Sequence, residues 1–306
     1  MSTHYYRFTR LGAVNRDRAP PRTPLLERLL ARAGASEEIT DWRADALRFV
    51  APASVIPSIA AAALFAEQGS SQGASVFIAA PIRYVAEMSS VRVPADGILH
   101  LPRSEADALA ADFNRVWDGA GVRLLAGRFT DLYCVLDQAV NSATYDPEEV
   151  RARPIDAFLP TGSGSPGLRR LMSEIEMWLF EHAVNRIRTA RSVPAVSGLW
   201  LWGGGTPATS LPAIGAWSMG DDPLFKALAA GRDAAASSGV AVVAADPGTA
   251  EWRVLESQCL QRSSADLHSG RIDRLALSAG HRCFSVRGRW NWRPWRRRRP
   301  WWESFG

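Results

Sequence analysis

The chain has 306 residues, of which 47% are hydrophobic, and it carries 36 lysines and arginines against 31 aspartates and glutamates, a net charge of +5. Residues 287–306 hold seven arginines and one glutamate, a charge of +6, which leaves −1 for the rest of the chain. This composition excludes a disordered protein and a basic nucleic-acid-binding face spread over the body, and the chain is long enough to bury a sizeable core.

Cysteine usage and the N-terminus indicate the cellular compartment. Cys134, Cys259 and Cys283 are odd in number and far apart, which fits a reducing compartment and excludes a CxxC-type metal knuckle. The first twenty residues contain no apolar run, so no signal peptide is expected. These features predict a cytoplasmic protein.

Residues 1–70 are predicted to form an N-terminal helical segment. Thr23 as N-cap, Pro24 at the first helical position and leucines at helical spacing indicate an amphipathic helix that stops at Gly34. Residues 49–66 follow as eighteen residues without a charge, for which a buried helix and a membrane span are the alternatives. The prolines, serines and small alanines in this stretch favour the buried helix.

Residues 71–286 alternate between apolar runs and amphipathic segments. Ser104 and Asp107 form a capping pair that indicates a helix, with a stop at Gly119 or Gly121. The apolar runs predict strands at 74–79, 122–125, 132–136, 199–202, 240–244 and 272–277, and helices are predicted at about 166–190, 222–235 and 248–259. Strands separated by helices of this length predict an α/β core with a largely parallel sheet and helices on both faces.

Motifs that would name a chemistry are weak. GSGSPG at 162–167 satisfies G-x-G-x-x-G, but no strand precedes it, so a dinucleotide site is not predicted. The five histidines are scattered, with no H-x-x-x-H spacing and no Asp/His cluster of the kind that a two-metal site needs. The sequence therefore predicts no metal site, and its catalytic residues, if any, stay unknown.

The segment 158–205 contains the candidate site. A helix starting near Pro166 would carry an apolar stripe and a second, polar stripe made of Glu174, Met177, Glu181, Asn185 and Arg188. One interpretation of the polar stripe is an ordinary solvated helix face. The alternative is a cleft beside a strand end, where glycine N–H groups would be open to an anion. That cleft would be lined by Glu181, His182, Asn185, Arg186, Trp202, Gly203, Gly204 and Gly205.

The same stretch resembles a known signature. EIEMWLFEHAVNRIRTARSVPAVSGLWLWGGG is similar to the pattern E-x-Q-M-x-L-x-x-H-P-V-N…P-x-N-S-x-W-x-W-G-G-G of a proteobacterial family of RpfE-type regulatory proteins, also labelled phosphoglycerate mutase-like proteins. Weaker agreement extends over roughly residues 75–280. This sequence departs from the pattern with Glu176 for glutamine, Ala183 for proline and Ser197 for asparagine.

The segment LWLWGGGTPATSLPAIGAWSMGDDPLFKALAAG also looks like part of the cofactor-independent phosphoglycerate mutases. The resemblance implies a related α/β core, with Asp221 and Asp222 at about the place of a ligating aspartate. Those enzymes use paired metal ions and a phosphorylatable serine, and their histidine-bearing motifs are missing here.

Two functions of different classes follow from this resemblance. We expect a non-catalytic regulatory or ligand-binding protein without a cofactor, whose partner is a small anionic ligand or a regulatory protein. The alternative is a metal-dependent, cofactor-independent phosphoglycerate mutase or phosphatase that uses Mn²⁺ or Mg²⁺.

Residues 287–306 form a basic tail rich in tryptophan and arginine. In one interpretation the tryptophans stack on unpaired bases while the arginines neutralise phosphates of a nucleic acid. In another the tail binds the surface of an anionic bilayer. A third interpretation packs the tryptophans of the last strand on the body and leaves only WRRRRPWW loose. Pro294 and Pro300 favour an extended arm over a helix. The candidate contact residues are Trp292, Trp295, Arg296, Arg297, Arg298 and Arg299.

Overall fold

The structure is a computed structural model that describes residues 1–11, 20–50, 58–69, 73–88, 90–211, 216–230, 236–288 and 298–305. The chain forms two compact units. Residues 1–54 and 213–306 make up the first, here named the parallel unit, and residues 55–212 make up the second, the antiparallel unit. The antiparallel unit is therefore an insertion in the sequence of the parallel unit.

The described strands, in chain order, are β1 (Thr3–Phe8), β2 (Glu37–Glu38), β3 (Ser75–Ile82), β4 (Val85–Ala86), β5 (Val91–Arg92), β6 (Val122–Ala126), β7 (Leu132–Leu136), β8 (Gly198–Gly205), β9 (Ala216–Met219), β10 (Ser238–Val243), β11 (Arg274–Ala279) and β12 (Arg282–Arg287). The described helices are α1 (Pro24–Arg32), α2 (Trp42–Val50), α3 (Ile59–Gln68), α4 (Arg103–Val116), α5 (Pro147–Val150), α6 (Ser165–Phe180), α7 (Ala183–Ala190), α8 (Pro223–Ala229), α9 (Ala250–Val254), α10 (Gln261–Ser269) and α11 (Trp301–Phe305). A π-helical stretch at Leu255–Leu260 joins α9 to α10.

The parallel unit is built on one mixed sheet in the order β2-β12-β11-β1-β10-β9. Strands β9, β10, β1 and β11 run parallel, and β12 and β2 add an antiparallel edge. Side chains alternate between the two faces along each strand, so Tyr6 packs with α1, α10 and α11, while Tyr5 packs with α2 and α8. The predicted α/β class, with a largely parallel sheet and helices on both faces, is confirmed in this unit.

The antiparallel unit has a separate four-stranded sheet in the order β6-β7-β3-β8, and every neighbouring pair is antiparallel. Strand β3 lies inside this sheet and all eight of its residues are buried. Helices α3 and α6 pack on β8, and α4 packs on β6. Four of the strands predicted from apolar runs belong to this sheet. Apolar runs do not reveal strand direction, so these strands were expected to run parallel. The short loop between β6 and β7 permits only antiparallel pairing.

The compact units divide the chain differently from the expected segments 1–70, 71–286 and 287–306. The first segment is not only helical, since β1 is a central strand that pairs with β10 and β11. Apolar runs did not indicate this strand because its sequence, THYYRF, mixes aromatic residues with polar ones. Strand pairing across the whole length of the chain therefore sets the units.

Several helix ends differ from the expected ones. Thr23 precedes α1, but its side chain makes no capping bond; Glu256 Oε1 instead accepts from the N–H groups of Leu25 and Leu26 at 3.0 and 3.2 Å. Helix α4 begins at Arg103, so Ser104 lies within the helix rather than at its cap. At α1 a tertiary partner therefore replaces the local cap, whereas the N-cap of α4 is Pro102, which makes no side-chain capping bond.

The uncharged stretch 49–66 contributes to two helices. Helix α2 ends at Val50 and α3 begins at Ile59 with Ser58 as its N-cap, while residues 51–57 lie outside the described residues. Four alanines of α3, Ala60, Ala61, Ala62 and Ala63, are fully buried, as the buried-helix interpretation expects, and Ala66 is half-buried. Across the described ranges, no helix combines the length and apolar character that a membrane crossing requires.

Candidate functional site

The predicted helix 166–190 is two helices, and the break decides which side chains are buried. Helix α6 ends at Phe180 and α7 begins at Ala183. Between them His182 is the N-cap of α7, and its Nδ1 accepts from the N–H of Val184 at 3.1 Å. Because α7 starts afresh with its own rotation, the polar stripe expected along one continuous helix does not continue across the break.

His182 is buried and held in one neutral tautomer. Its Nδ1 is an acceptor, so Nε2 carries the proton and donates to Asp112 Oδ2 at 3.2 Å. Burial lowers the pKa of His182, although the carboxylate of Asp112 acts in the opposite direction. The ring also packs edge-on against Trp178 at a centroid distance of 4.6 Å. The side chain joins α7 to α4 and is not among the residues that line the cleft described below.

Asn185 and Arg188, expected on a polar stripe, are 6% and 4% exposed. The Asn185 amide donates to the carbonyls of Leu179 and Val196 at 2.7 and 2.8 Å, and its oxygen accepts from the N–H of Val196 at 2.8 Å. Arg188 donates to Glu105 on α4 at 2.5 Å and to a backbone carbonyl. The interpretation as a solvated face is therefore wrong for these two residues, which fix α7 in the fold.

A cleft of about 760 Å³ opens between α6, α7 and the residues before β8. Its polar lining is contributed by Glu176, Asn185, Arg186, Thr189 and Ser197. Its apolar lining is contributed by Phe180, Ala190, Ala195 and Val196. Of the predicted lining residues Asn185 and Arg186 are present, and the cleft adjoins the beginning of β8 rather than its glycine-rich end.

Glu176 is the acidic group of the cleft. It is half-buried and accepts a hydrogen bond from the hydroxyl of Tyr84, and burial raises the pKa of both groups. A Cβ on Gly198 would lie 3.0 Å from the Tyr84 ring and 3.2 Å from Glu176 Cγ, so the glycine admits this pair. Ser197 Oγ accepts from the Tyr84 backbone N–H at 3.0 Å.

Arg186 is the basic group of the cleft, and it lies on the other helix. The side chain is exposed, and Nη1 donates to the backbone carbonyl of Glu181 at 3.0 Å. Glu181 itself is exposed at the C-terminus of α6 and does not line the cleft. The cleft thus presents one carboxyl group from α6 and one guanidinium group from α7.

The glycine run at the end of β8 is used for packing. A Cβ on Gly204 would lie 2.1 Å from the ring of Phe77, and a Cβ on Gly205 would lie 2.7 Å from Ser58 Cβ. Gly203 adopts φ +62°, a conformation that favours glycine, and lies against Ile59. Trp202 is buried at 6% exposure. Phe77 and the start of α3 therefore occupy the space expected to admit an anion.

Asp221 and Asp222 belong to the parallel unit, whereas the cleft belongs to the antiparallel unit. Asp222 is buried; its Oδ1 accepts from the N–H of Phe225 at 3.2 Å as the N-cap of α8, and its Oδ2 pairs with Arg43 Nε at 2.8 Å. Asp221 is exposed and pairs with Lys226 at 2.8 Å. The surroundings of Asp222 do not fit a pair of metal ions, because a guanidinium and a backbone N–H already use its oxygens.

In the part of the chain that the structure describes, no group of three or more His, Cys, Asp or Glu side chains is placed to hold a metal ion. Of the tail, the structure describes residues 287–288 and 298–305, so Trp292, Trp295, Arg296 and Arg297 lie outside the described residues.

The described end of the tail is packed rather than loose. Trp301 and Phe305 are 1% and 5% exposed in the core of the parallel unit, and Trp301 Nε1 donates to the carbonyl of Pro21 at 3.0 Å. The expected extended arm is therefore wrong for α11, which begins directly after Pro300. Arg298 and Arg299 are exposed, and contact with nucleic acid or an anionic membrane stays a prediction.

Sequence reasoning missed the other lining residues, of which Glu176, Thr189 and Ser197 are polar. One sequence feature could have pointed to two of them, because Glu176 and Ser197 are positions where the segment departs from the signature that it resembles. Both positions line the same cleft, which only the packing of α6 against the start of β8 reveals.

Comparison with known proteins finds no matching family for this sequence, and no curated protein matches it. Among solved structures, the fold is similar to the cofactor-independent phosphoglycerate mutase from Thermoplasma acidophilum DSM 1728, with 14% identity, 95% of this chain and 90% of that chain covered, and a TM-score of 0.39. It is also similar to the PH0037 protein from Pyrococcus horikoshii, with 10% identity, 94% of this chain and 87% of that chain covered, and a TM-score of 0.43. Likenesses this distant establish no activity for this chain.

Proposed function

We propose that this chain is a non-catalytic ligand-binding protein of regulatory type, and that its ligand occupies the cleft between α6 and α7. The observation that carries the proposal is the cleft itself. Its volume of about 760 Å³ lies within the range of roughly 300–1,000 Å³ usual for small-molecule sites. Its lining combines apolar side chains with polar ones that can orient a ligand, as such sites do.

A cleft-filling variant tests this proposal. Ala190 is exposed at the edge of the cleft on α7, and Ala183 is exposed on the same helix outside the lining. We expect compounds from a metabolite library to raise the melting temperature of the wild type and of A183W but not of A190W. The proposal fails if no compound stabilises the wild type, or if A190W responds as the wild type does.

The mutase or phosphatase alternative depends on Asp222 and is tested separately. We expect no metal-dependent turnover of 3-phosphoglycerate with Mn²⁺ or Mg²⁺, because Asp222 is held by Arg43 and caps α8. D222N keeps an amide that can cap the helix while removing the charge that a metal ligand needs. Turnover in the wild type that is lost in a folded D222N protein would replace the proposed function with the enzymatic one.

A further inference from the structure

We propose that the cleft between α6 and α7 takes a zwitterionic, dipeptide-sized molecule, with the ligand's ammonium group at Glu176, its carboxylate at Arg186 and an apolar body between them. The inference rests on the proposed function and names the class of ligand. It changes the expected small anion to a molecule that carries both charges.

Glu176 supplies the recognition of a cation. A carboxylate offers about four acceptor positions, and the Tyr84 hydroxyl is one donor to this group. The carboxyl group is half-buried, and burial disfavours its charged form. A ligand ammonium beside it would offset that cost, because opposite charges attract more strongly where water is partly excluded.

Arg186 supplies the recognition of an anion. A guanidinium has five N–H donors in a planar fork that matches a carboxylate, and one of them is bonded to the carbonyl of Glu181. The carboxylate of Glu176 would repel a ligand with only negative charge, and the guanidinium of Arg186 would repel a ligand with only positive charge. The lining therefore favours a molecule with one charge of each sign.

The apolar lining and the size of the cleft restrict the rest of the ligand. Phe180 is 85% exposed, and Ala190, Ala195 and Val196 line the same space. If the part of the ligand between its two charges were polar, these side chains would have no apolar surface to pack against. The volume of about 760 Å³ suits a body larger than one amino acid.

Isothermal titration with three related probes tests the charge pattern. The probes are leucyl-leucine, its N-acetyl derivative, which lacks the ammonium group, and its amide, which lacks the carboxylate. We expect leucyl-leucine to bind the wild type at least about ten-fold more tightly than either blocked probe, since a charge-assisted hydrogen bond contributes about this much.

Three variants assign the two charges to residues. E176Q should remove the preference for leucyl-leucine over the acetylated probe, and R186Q should remove its preference over the amide. R170Q is the matched control, because Arg170 is exposed on α6 and pairs with Glu174 outside the cleft. It should keep both preferences.

Equal binding of the three probes by the wild type would overturn the inference, as would unchanged preferences in E176Q and R186Q. Absence of binding by all three probes at millimolar concentration would also overturn it. The proposed function would survive each of these results if a library compound still stabilised the wild type but not A190W.

Discussion

Replacing Asn185 with alanine should destabilise the antiparallel unit, because this amide ties three chain segments together. It connects the end of α6 at Leu179, its own helix α7 and the segment before β8 at Val196. Its neighbour Arg186, on the same helix, is exposed and carries no such role. A residue chosen from the sequence as a ligand contact is thus expected to act mainly on stability.

The magnitude follows from the bonds that are lost. Three hydrogen bonds, each with a net value of about 1 kcal/mol, give about 3 kcal/mol. The largest part comes from Val196, whose N–H and C=O both bond to Asn185 and are buried. The Leu179 carbonyl also accepts from the N–H of His182 at 3.1 Å, so its loss costs less. For a domain of this size, about 3 kcal/mol corresponds to roughly 6–12 °C in melting temperature.

Equilibrium urea unfolding, followed by tryptophan fluorescence and far-ultraviolet circular dichroism, measures the effect. T189A is the control, because Thr189 lines the same cleft but is exposed, and it should stay within about 0.5 kcal/mol of the wild type. If N185A were as stable as T189A, the amide would not hold the two helices to the strand, and the structural role assigned to Asn185 would be refuted.

Lowering the pH should destabilise the wild type more than H182N. Burial lowers the pKa of His182 below its usual 6.5. The contribution of His182 to stability is therefore complete above pH 6.5 and is lost as the pH falls through the pKa of the folded state. Equal pH dependence of the wild type and H182N in urea unfolding would contradict this. G204A should lower the free energy of unfolding by about 1–3 kcal/mol, because its Cβ would clash with the Phe77 ring. G167A should raise the free energy of unfolding by about 0.5–1 kcal/mol, because its Cβ has no neighbour within 4 Å. Thermal unfolding that ranks the two variants in the opposite order would refute the packing role of Gly204. If the tail binds single-stranded nucleic acid through seven arginines, the log–log salt slope should reach about −5, and R298Q/R299Q should reduce its magnitude by about 1.4; a slope unaffected by the double variant would rule out these two contacts.

The residues of the resembled signature are explained largely by the fold. His182 caps α7, Asn185 holds Val196, and Gly204 admits the Phe77 ring. Trp200, also in the signature, donates to the carbonyl of Tyr145 at 2.8 Å. These roles hold the fold together and require no chemistry from the residues concerned.

The sequence by itself predicted the elements that depend on local pattern. Strand β7 lies where its apolar run placed it, and α6 buries one apolar stripe, as its helical spacing predicted; Leu168, Ile175 and Leu179 belong to this stripe. These elements are predictable because one buried face requires a fixed period of apolar side chains. The α/β class followed from the order of the elements.

Only the tertiary structure decided the direction of the strands, the two units and the position of the cleft. β1 is placed by hydrogen bonds to β10 and β11, far away in sequence, and its polar and aromatic pattern did not reveal it. The break at His182 turns Asn185 inward and leaves Arg186 at the cleft. Both results depend on contacts between distant segments, and the free energy of such contacts is not encoded in the period of any single segment.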